Sequence, residues 1–219
     1  MNKTRQYPSA GQLAARALLC GVTALSLQGC FGFVAAGAVM GTLAATDRRT
    51  LGAQTEDKAI LVKAETRIPQ IVGDAGHVNV TSFNRKVLLT GEVRDEAMKA
   101  AVEREVLGIQ NVESVVNELA VMSPSSLSSR SNDAFITGKV KASFVDNKTL
   151  VVNAIKVVTE RGDVYLMGRV TQNEGNLAAE IARGVSGVNR VVKVFEYISD
   201  EEYQRLSSTP DNGQSKQSQ

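Results

Sequence analysis

Hydrophobic side chains recur with two different periods in the first half of the chain, and the change of period predicts its secondary structure. Ile60, Ala64 and Ile68 are spaced four residues apart, which is typical of one face of an amphipathic helix. Residues 77–81 instead alternate between polar and apolar, as in a half-buried strand. Residues 87–93 form the return strand of a predicted hairpin.

A second helix and a last strand complete this pattern. Asn84-Arg85 stands where the hairpin turn is needed. The second helix is predicted over about residues 95–107, with Gly108 at its C-terminus. The last strand covers residues 112–121. The predicted order is αββαβ, with three strands on one side and two helices on the other.

The ends of the opening helix are predicted from capping and breaking residues. Thr55 or Asp57 is expected near its N-cap. Pro69 is expected to stop it early, because proline lacks the amide that continues a helix.

The whole pattern occurs twice, at a spacing of about 75 residues in units of about 65 residues. The aligned segments are 57–60 over 133–136, 87–93 over 164–170, Gly108 over Gly184 and 112–116 over 188–192. In the second copy, Ile136, Val140 and Phe144 repeat the helical spacing after cap candidates at residues 131–133. Its remaining elements are predicted at 155–159, 164–170, 172–185 and 188–198, with a turn at Arg161-Gly162. The chain is therefore predicted to be an α+β protein with two tandem domains, at 55–122 and 131–199.

The N-terminus carries a secretion signal. Basic residues precede the short apolar stretch 17–27, and Gly29 stands directly before Cys30. This arrangement resembles the lipobox of bacterial lipoproteins. The resemblance implies that residues 1–29 are removed, that the Cys30 thiol receives a diacylglyceryl group, and that the new amine is acylated. Phe31 in place of aspartate implies sorting to the outer membrane; a plain secreted protein with a chance cysteine is the alternative.

Three further segments are interpreted as connections. Residues 30–54 form a lipidated tether, whose apolar part is shorter than the roughly 20 residues that a membrane-spanning helix needs. Residues 123–130 are a serine-rich linker. Residues 200–219 are predicted to be a disordered polar tail.

Composition argues against several classes of function. The only histidine is His77, and Cys20 leaves with the signal, so we expect no metal site, no cofactor and no disulfide. His77 is expected at a strand edge. The net charge of +2 gives no general preference for nucleic acid. The carboxylate clusters have helical spacing and predict a solvated face, so we expect no catalysis.

The repeat resembles a known family. The Val-x-Leu-x-Gly-x-Val return strand and the closing Gly-(x)3-Val-x-x-Val are similar to those of the BON domain. Two copies behind a lipobox, with the segment 46–57, resemble the dual BON-domain outer-membrane lipoproteins. The resemblance implies an αββαβ fold, exposure to the periplasm, no enzymatic activity, binding of anionic phospholipid and a role in outer-membrane integrity.

The opening helix of the second domain is predicted to contact lipid. Its outward side carries an apolar strip with basic edges, formed by Phe135, Gly138, Lys139, Lys141, Ala142 and Val145. The aligned positions of the first domain are Ala59, Val62, Thr66 and Pro69, accompanied by Glu56, Asp57 and Glu65. Residues 55–121 hold 8 basic and 11 acidic residues, a net charge of −3, while residues 132–198 hold 9 and 7, a net charge of +2. The second domain is therefore predicted to bind anionic membrane.

Two alternatives stay open at this point. The strip could pack against the first domain instead of lipid. The protein could also act as an interaction scaffold for an envelope machine, such as β-barrel assembly or the division apparatus, since BON domains also occur in secretin-type pores.

Overall fold

Two tandem domains of one design fill the part of the chain that the structure, a computed structural model, describes: residues 47–147 and 149–208. Domain 1 consists of α1 (Leu51–Val72), β1 (His77–Phe83), β2 (Lys86–Val93), α2 (Glu96–Leu107), β3 (Ser114–Asn117) and β4 (Ala120–Val121). β1 pairs antiparallel with β2, and both β3 and β4 pair parallel with β2. The predicted last strand is thus interrupted between β3 and β4.

Domain 2 repeats the design with an unbroken last strand. It consists of α3 (Leu127–Asp146), β5 (Ile155–Glu160), β6 (Asp163–Val170), α4 (Gln172–Arg183) and β7 (Arg190–Tyr197). β5 pairs antiparallel with β6, and β6 pairs parallel with β7. The αββαβ order predicted from the sequence is confirmed in both domains.

The hairpin turns lie where the sequence predicts them. Asn84 and Arg85 have φ angles of 51° and 64°, and Arg161 and Gly162 have 50° and 77°. Two successive left-handed residues are the mark of a type I′ turn, whose twist suits a two-residue hairpin. Gly91 in β2 has a φ of 110°, and a Cβ there would lie 2.1 Å from the carbonyl oxygen of His77. This close approach explains the glycine in the return strand.

The opening helices begin earlier than the sequence suggests. Thr50 caps α1 by accepting the Ala53 amide, so the prediction of Thr55 or Asp57 is wrong. Ser126 caps α3, so the cap candidates 131–133 are wrong as well, and the predicted linker 123–130 and tether 30–54 each end inside a helix. Thr55 lies within α1 and donates to the Leu51 carbonyl.

Pro69 does not stop α1, which continues to Val72. Ile68 and Val72 are both buried in the core of domain 1. Their burial holds the last turn in place despite the hydrogen bond that proline cannot donate. The second helices end as predicted, with Gly108 and Gly184 as C-caps.

Three hydrophobic clusters form the core of the protein, one inside each domain and one between the two domains. One cluster lies between the helices and the sheet of domain 1, and a second lies between the helices and the sheet of domain 2. The third cluster is formed by Phe83, Leu88, Tyr165, Met167 and Val194, from strands of both domains. Leu88 and Tyr165 point away from the helices of their own domains, since their neighbours Val87 and Val164 belong to the helix-side clusters. The domains therefore pack sheet against sheet, and the alternative in which the α3 strip meets domain 1 is wrong.

The segment before α1 links both domains. Arg48 forms a bidentate ion pair with Glu174 at the start of α4, at 2.7 Å and 2.8 Å. The next residue, Arg49, pairs with Asp57 of α1 at 2.7 Å. Two adjacent arginines thus fasten one segment to two domains. Thr46–Gln219, with all three clusters, is a compact unit by itself.

The predicted disordered tail is wrong in its first part. Asp200–Ser208 forms a further helix, α5. Arg169 of β6 pairs with Glu202 of this helix, and the Arg48 guanidinium lies 4.7 Å from the centre of the Tyr203 ring. These contacts hold a mostly polar segment in place.

Candidate functional site

The opening helix of domain 2, α3, has one face in the core and one in solvent. Its inward face consists of buried Asp133, Ile136, Val140 and Phe144. The predicted strip Phe135, Gly138, Ala142 and Val145 is exposed along its whole length. Phe135 is 65% exposed and Val145 is 66% exposed. An exposed apolar strip on a folded helix favours an interaction with something outside the chain.

The two lysines that edge the strip differ in their surroundings. The Lys139 ammonium lies 5.0 Å from the centre of the Phe135 ring and donates a hydrogen bond to the carbonyl of Ser186. Lys141 is exposed, and no hydrogen bond or ion pair engages it among residues 47–147 and 149–208. Lys141 is therefore the more available charge. Lys148 lies outside the described residues.

Two of the grooves that border α3 lie beside the strip. One, with a volume of about 480 Å³, runs between α3 and the end of α4 and is lined in part by Lys139, Ala142 and Ile181. The other, of about 300 Å³, brings together Arg49, Lys141 and Lys156 next to Phe83. The pKa of Lys156 is lowered, chiefly because burial removes water from its charge and also because Arg49 is near.

The second groove was missed by sequence reasoning. Its three cations come from the segment before α1, from α3 and from β5, so no local spacing joins them. Arg49 is already paired with Asp47 and Asp57. The groove thus offers two lysines without a described ion pair, beside the basic edge of the strip.

The opening helix of domain 1 offers a weaker counterpart. Val62 is 62% exposed, but it is the only large apolar side chain among the four aligned positions. Thr66 and Pro69 are exposed, and Ala59 is half-buried. The contrast between the two helices predicted from the sequence is present at the surface.

The structure corrects the predicted position of Asp57. The sequence places it on the outward acidic side, but the structure buries it behind the β1–β2 turn. Its carboxylate accepts hydrogen bonds from Ser82 Oγ at 2.6 Å, from the amides of Asn84 at 2.7 Å and Arg85 at 2.8 Å, and from Arg49. Burial acts to raise the pKa of Asp57, but the hydrogen bonds from Ser82, Arg85, Asn84 and Arg49 together outweigh it and leave the pKa below its ordinary value.

Burial of carboxylates makes the exposed charge of both domains more positive than their composition suggests. Asp57 and Glu92 are buried in domain 1, and Asp133 and Glu160 in domain 2. Without these four, residues 55–121 hold 8 basic and 9 acidic residues, and residues 132–198 hold 9 and 5. The remaining net charges are −1 and +4, so domain 2 is more clearly basic than its composition suggests.

The predicted lipidation site, Cys30, lies outside the described residues. Within residues 47–147 and 149–208, no helix is both long enough and apolar enough to cross a bilayer.

Comparison with known proteins places this arrangement in a family. The BON domain matches residues 61–123 and 132–199, together more than half of the chain. The outer membrane lipoprotein DolP of Haemophilus influenzae is 39% identical over 186 residues, which cover 83% of this chain and 95% of that protein. A 21 kDa hemolysin of Actinobacillus pleuropneumoniae is 29% identical over 154 residues, which cover 69% of this chain and 79% of that protein.

Similarity to solved structures is weaker. CdsD, a structural protein of the type III secretion system of Chlamydia trachomatis, aligns with 68% of this chain and 98% of its own at 11% identity and a TM-score of 0.28. The two BON matches coincide with the two domains seen in the structure. On these grounds the chain belongs to the BON-domain family, as a dual BON-domain outer-membrane lipoprotein.

Proposed function

We propose that this protein is anchored in the outer membrane through acylated Cys30, faces the periplasm, and binds anionic phospholipid through α3 of domain 2 in support of outer-membrane integrity. The observation that carries the proposal is the exposure of Phe135 and Val145 on one side of α3. The sheets pack against each other, so this side of the helix stays free for a partner.

The strip has the chemistry that an anionic bilayer surface requires. Phe135 and Val145 supply apolar surface for the boundary between headgroups and acyl chains. Lys139 and Lys141 stand beside them, and each lysine near an anionic surface contributes about 1 kcal/mol. The excess of basic residues in domain 2 has the sign that attracts phosphates.

The groove formed by Arg49, Lys141 and Lys156 extends this basic edge. A headgroup phosphate there would be held while the acyl chains stay beside Phe135. Burial lowers the pKa of Lys156 and the nearby Arg49 charge lowers it further, so an anionic phosphate in the groove would be a favourable partner for Lys156.

The acyl anchor and the strip would have different roles at the membrane, attachment and orientation. Two or more acyl chains on Cys30 would hold the protein at a membrane continuously, at about 0.8 kcal/mol for each buried methylene. The strip would then orient the folded domains at the surface, where tethering makes even a weak contact effective.

The test uses the fragment Thr46–Gln219, which contains all three hydrophobic clusters and lacks Cys30. Its binding to vesicles of phosphatidylglycerol and phosphatidylcholine therefore reports the folded domains and not the anchor. Phe135→Glu should weaken co-sedimentation more than ten-fold, because it removes roughly 2 kcal/mol of apolar burial and adds a repelled charge.

The matched control is Val62→Glu on α1, which places the same charge at a similarly exposed apolar residue. It should leave binding within about two-fold, since domain 1 is assigned no lipid contact. Equal losses from both variants, or none from Phe135→Glu, would contradict the assignment. Absence of vesicle binding by the unaltered fragment would leave the scaffold function as the alternative.

Separated domains are a poor test. Each would expose its half of the cluster formed by Phe83, Leu88, Tyr165, Met167 and Val194. Such surfaces bind vesicles nonspecifically, so point variants in the intact pair are preferred.

A further inference from the structure

Three side chains with metal-binding chemistry meet where the two domains join. His77 begins β1, Glu92 lies near the end of β2, and Glu160 ends β5 of domain 2. His77 and Glu92 are direct cross-strand partners. One potential ligand atom from each of the three residues lies within 4.8 Å of the other two.

Glu92 has unused binding capacity deep in the junction. Its side chain is 0% exposed. One carboxylate oxygen, Oε2, accepts the amide of Ser125 at 3.0 Å, whereas Oε1 is buried without a hydrogen bond. The nearest described cation is the Arg161 guanidinium, at 3.9 Å from Oε1, beyond hydrogen-bonding distance.

His77 has unused capacity of the same kind. Its Nδ1 atom is buried without a hydrogen bond and lies 3.6 Å from Oε2 of Glu92. A buried polar atom without a partner is unfavourable, and native proteins seldom keep one without a ligand, a water or a function.

Glu160 adds a second buried carboxylate from the other domain. It accepts a hydrogen bond from Asn79 at 2.8 Å. Glu160 is only 6% exposed, and its ligand atom lies within 4.8 Å of that of Glu92. Two buried carboxylates this close together repel each other and favour a compensating cation.

We propose that His77, Glu92 and Glu160 bind a first-row divalent cation such as Zn²⁺, which links domain 1 to domain 2. Neighbouring ligand atoms around tetrahedral zinc lie about 3.4 Å apart, close to the distance between His77 and Glu92. One imidazole and two carboxylates suit zinc or manganese better than the thiolate-preferring ions. Three protein ligands leave one coordination position for water.

The proposed site departs from the expectation of no metal site that composition supports. A single histidine excludes a cluster of histidines. It does not exclude a site that is completed by carboxylates, and folding brings two carboxylates to His77, one of them from the other domain. Glu92 and Glu160 lie 68 residues apart in the chain.

The test is zinc binding to the fragment Thr46–Gln219, measured after treatment with EDTA and its removal, by competition with a chromogenic zinc chelator. The fragment contains no cysteine, so thiolates contribute no background. We expect one site per chain and an upward shift in unfolding temperature that saturates with zinc. Manganese is titrated in parallel.

The variants are Glu92→Gln, Glu160→Gln and His77→Gln, with Glu113→Gln as a surface control. Each of the three should weaken zinc affinity at least ten-fold and abolish the zinc-dependent thermal shift, while Glu113→Gln keeps both. If a residue had only a structural role, its replacement would change the unfolding temperature in EDTA but would leave the zinc-dependent upward shift intact. Full-strength binding by any two folded variants would overturn the proposal, as would no site for zinc or manganese in the unaltered fragment. If Glu92→Gln fails to fold, His77→Gln and Glu160→Gln decide the outcome.

Discussion

The two domains share a core and differ on their outer helices. α1 and α3 bury the same pattern, Ile60, Ala64 and Ile68 in one and Ile136, Val140 and Phe144 in the other. Outside that pattern, α3 exposes Phe135 and Val145, while α1 exposes mostly polar residues. The comparison teaches that duplication kept what the fold needs and left the solvent side of each helix free to acquire a separate use.

The same comparison extends to the hairpin turns. Asp57 and Asp133 are aligned, buried, and accept the amides of the two turn residues of their own domain. Within residues 47–147 and 149–208, Asp57 alone of the two also accepts a hydrogen bond from Ser82 and pairs with an arginine. The shared role is to fix the turn; the additional partners in domain 1 attach the segment before α1.

The largest expected effect is on the free energy of unfolding, and it differs between variants of these two aspartates. Asp57→Asn should lower the free energy of unfolding of Thr46–Gln219 by about 2–4 kcal/mol, because the amide loses a buried ion pair and places a donor among donors. Asp133→Asn should cost about 1–2 kcal/mol, since two backbone amides are its described partners. Denaturant titration measures both. Equal losses would show that the arginine adds nothing.

The next prediction compares how the contributions of Asp57 and Glu160 to the stability of the fold depend on pH. The pKa of Asp57 is lowered, so its stabilisation is complete above its unfolded pKa of about 3.8 and is lost as the pH falls through the folded value. The pKa of Glu160 is raised above 4.5, so its charge destabilises the fold at neutral pH and this cost disappears as the pH falls through the folded value.

Unfolding curves in EDTA between pH 3 and 8 test this opposition. Glu160→Gln should be more stable than the unaltered fragment at neutral pH, with an advantage that shrinks toward about pH 4.5. Asp57→Asn should lose most of the acid-induced destabilisation below about pH 4. A Glu160→Gln variant that is less stable at every pH would contradict the raised pKa.

The smallest effect is on lipid. Lys141→Gln should reduce binding of the fragment to anionic vesicles about five-fold, which corresponds to about 1 kcal/mol for one lysine near the surface. Lys58→Gln, on the exposed side of α1, is the matched control and should change binding less than two-fold. The difference should shrink at high salt, because added ions screen surface charges. A loss from Lys58→Gln as large as that from Lys141→Gln would assign the charge effect to the whole protein.

Local periodicity was sufficient for most of the secondary structure. The hairpins at Asn84-Arg85 and Arg161-Gly162 and the helix ends at Gly108 and Gly184 lie where residue preferences put them. The starts of α1 and α3 were predicted too late, because Thr50 and Ser126 lie in segments that composition marks as connections. Short polar segments carry little periodic signal, and tertiary contacts decide whether they are helical.

The sequence of the two return strands indicates that each strand is covered on both faces. Residues 87–89 and 164–167 are uninterrupted apolar runs, which are typical of strands buried on both faces. The structure buries every residue from Val87 to Val93, with the helices on one side and the other domain on the opposite side. A half-buried strand would have alternated more strictly.

The order of elements, the repeat and the exposed side of α3 were determined by sequence alone, because each depends on residues a few positions apart whose spacing matches a helix or a strand. The burial of Asp57, the groove of Arg49, Lys141 and Lys156, and the meeting of His77, Glu92 and Glu160 were decided only by tertiary structure. These features join side chains from separate elements, and their free energies depend on distance and burial, which exist only once the two sheets have packed.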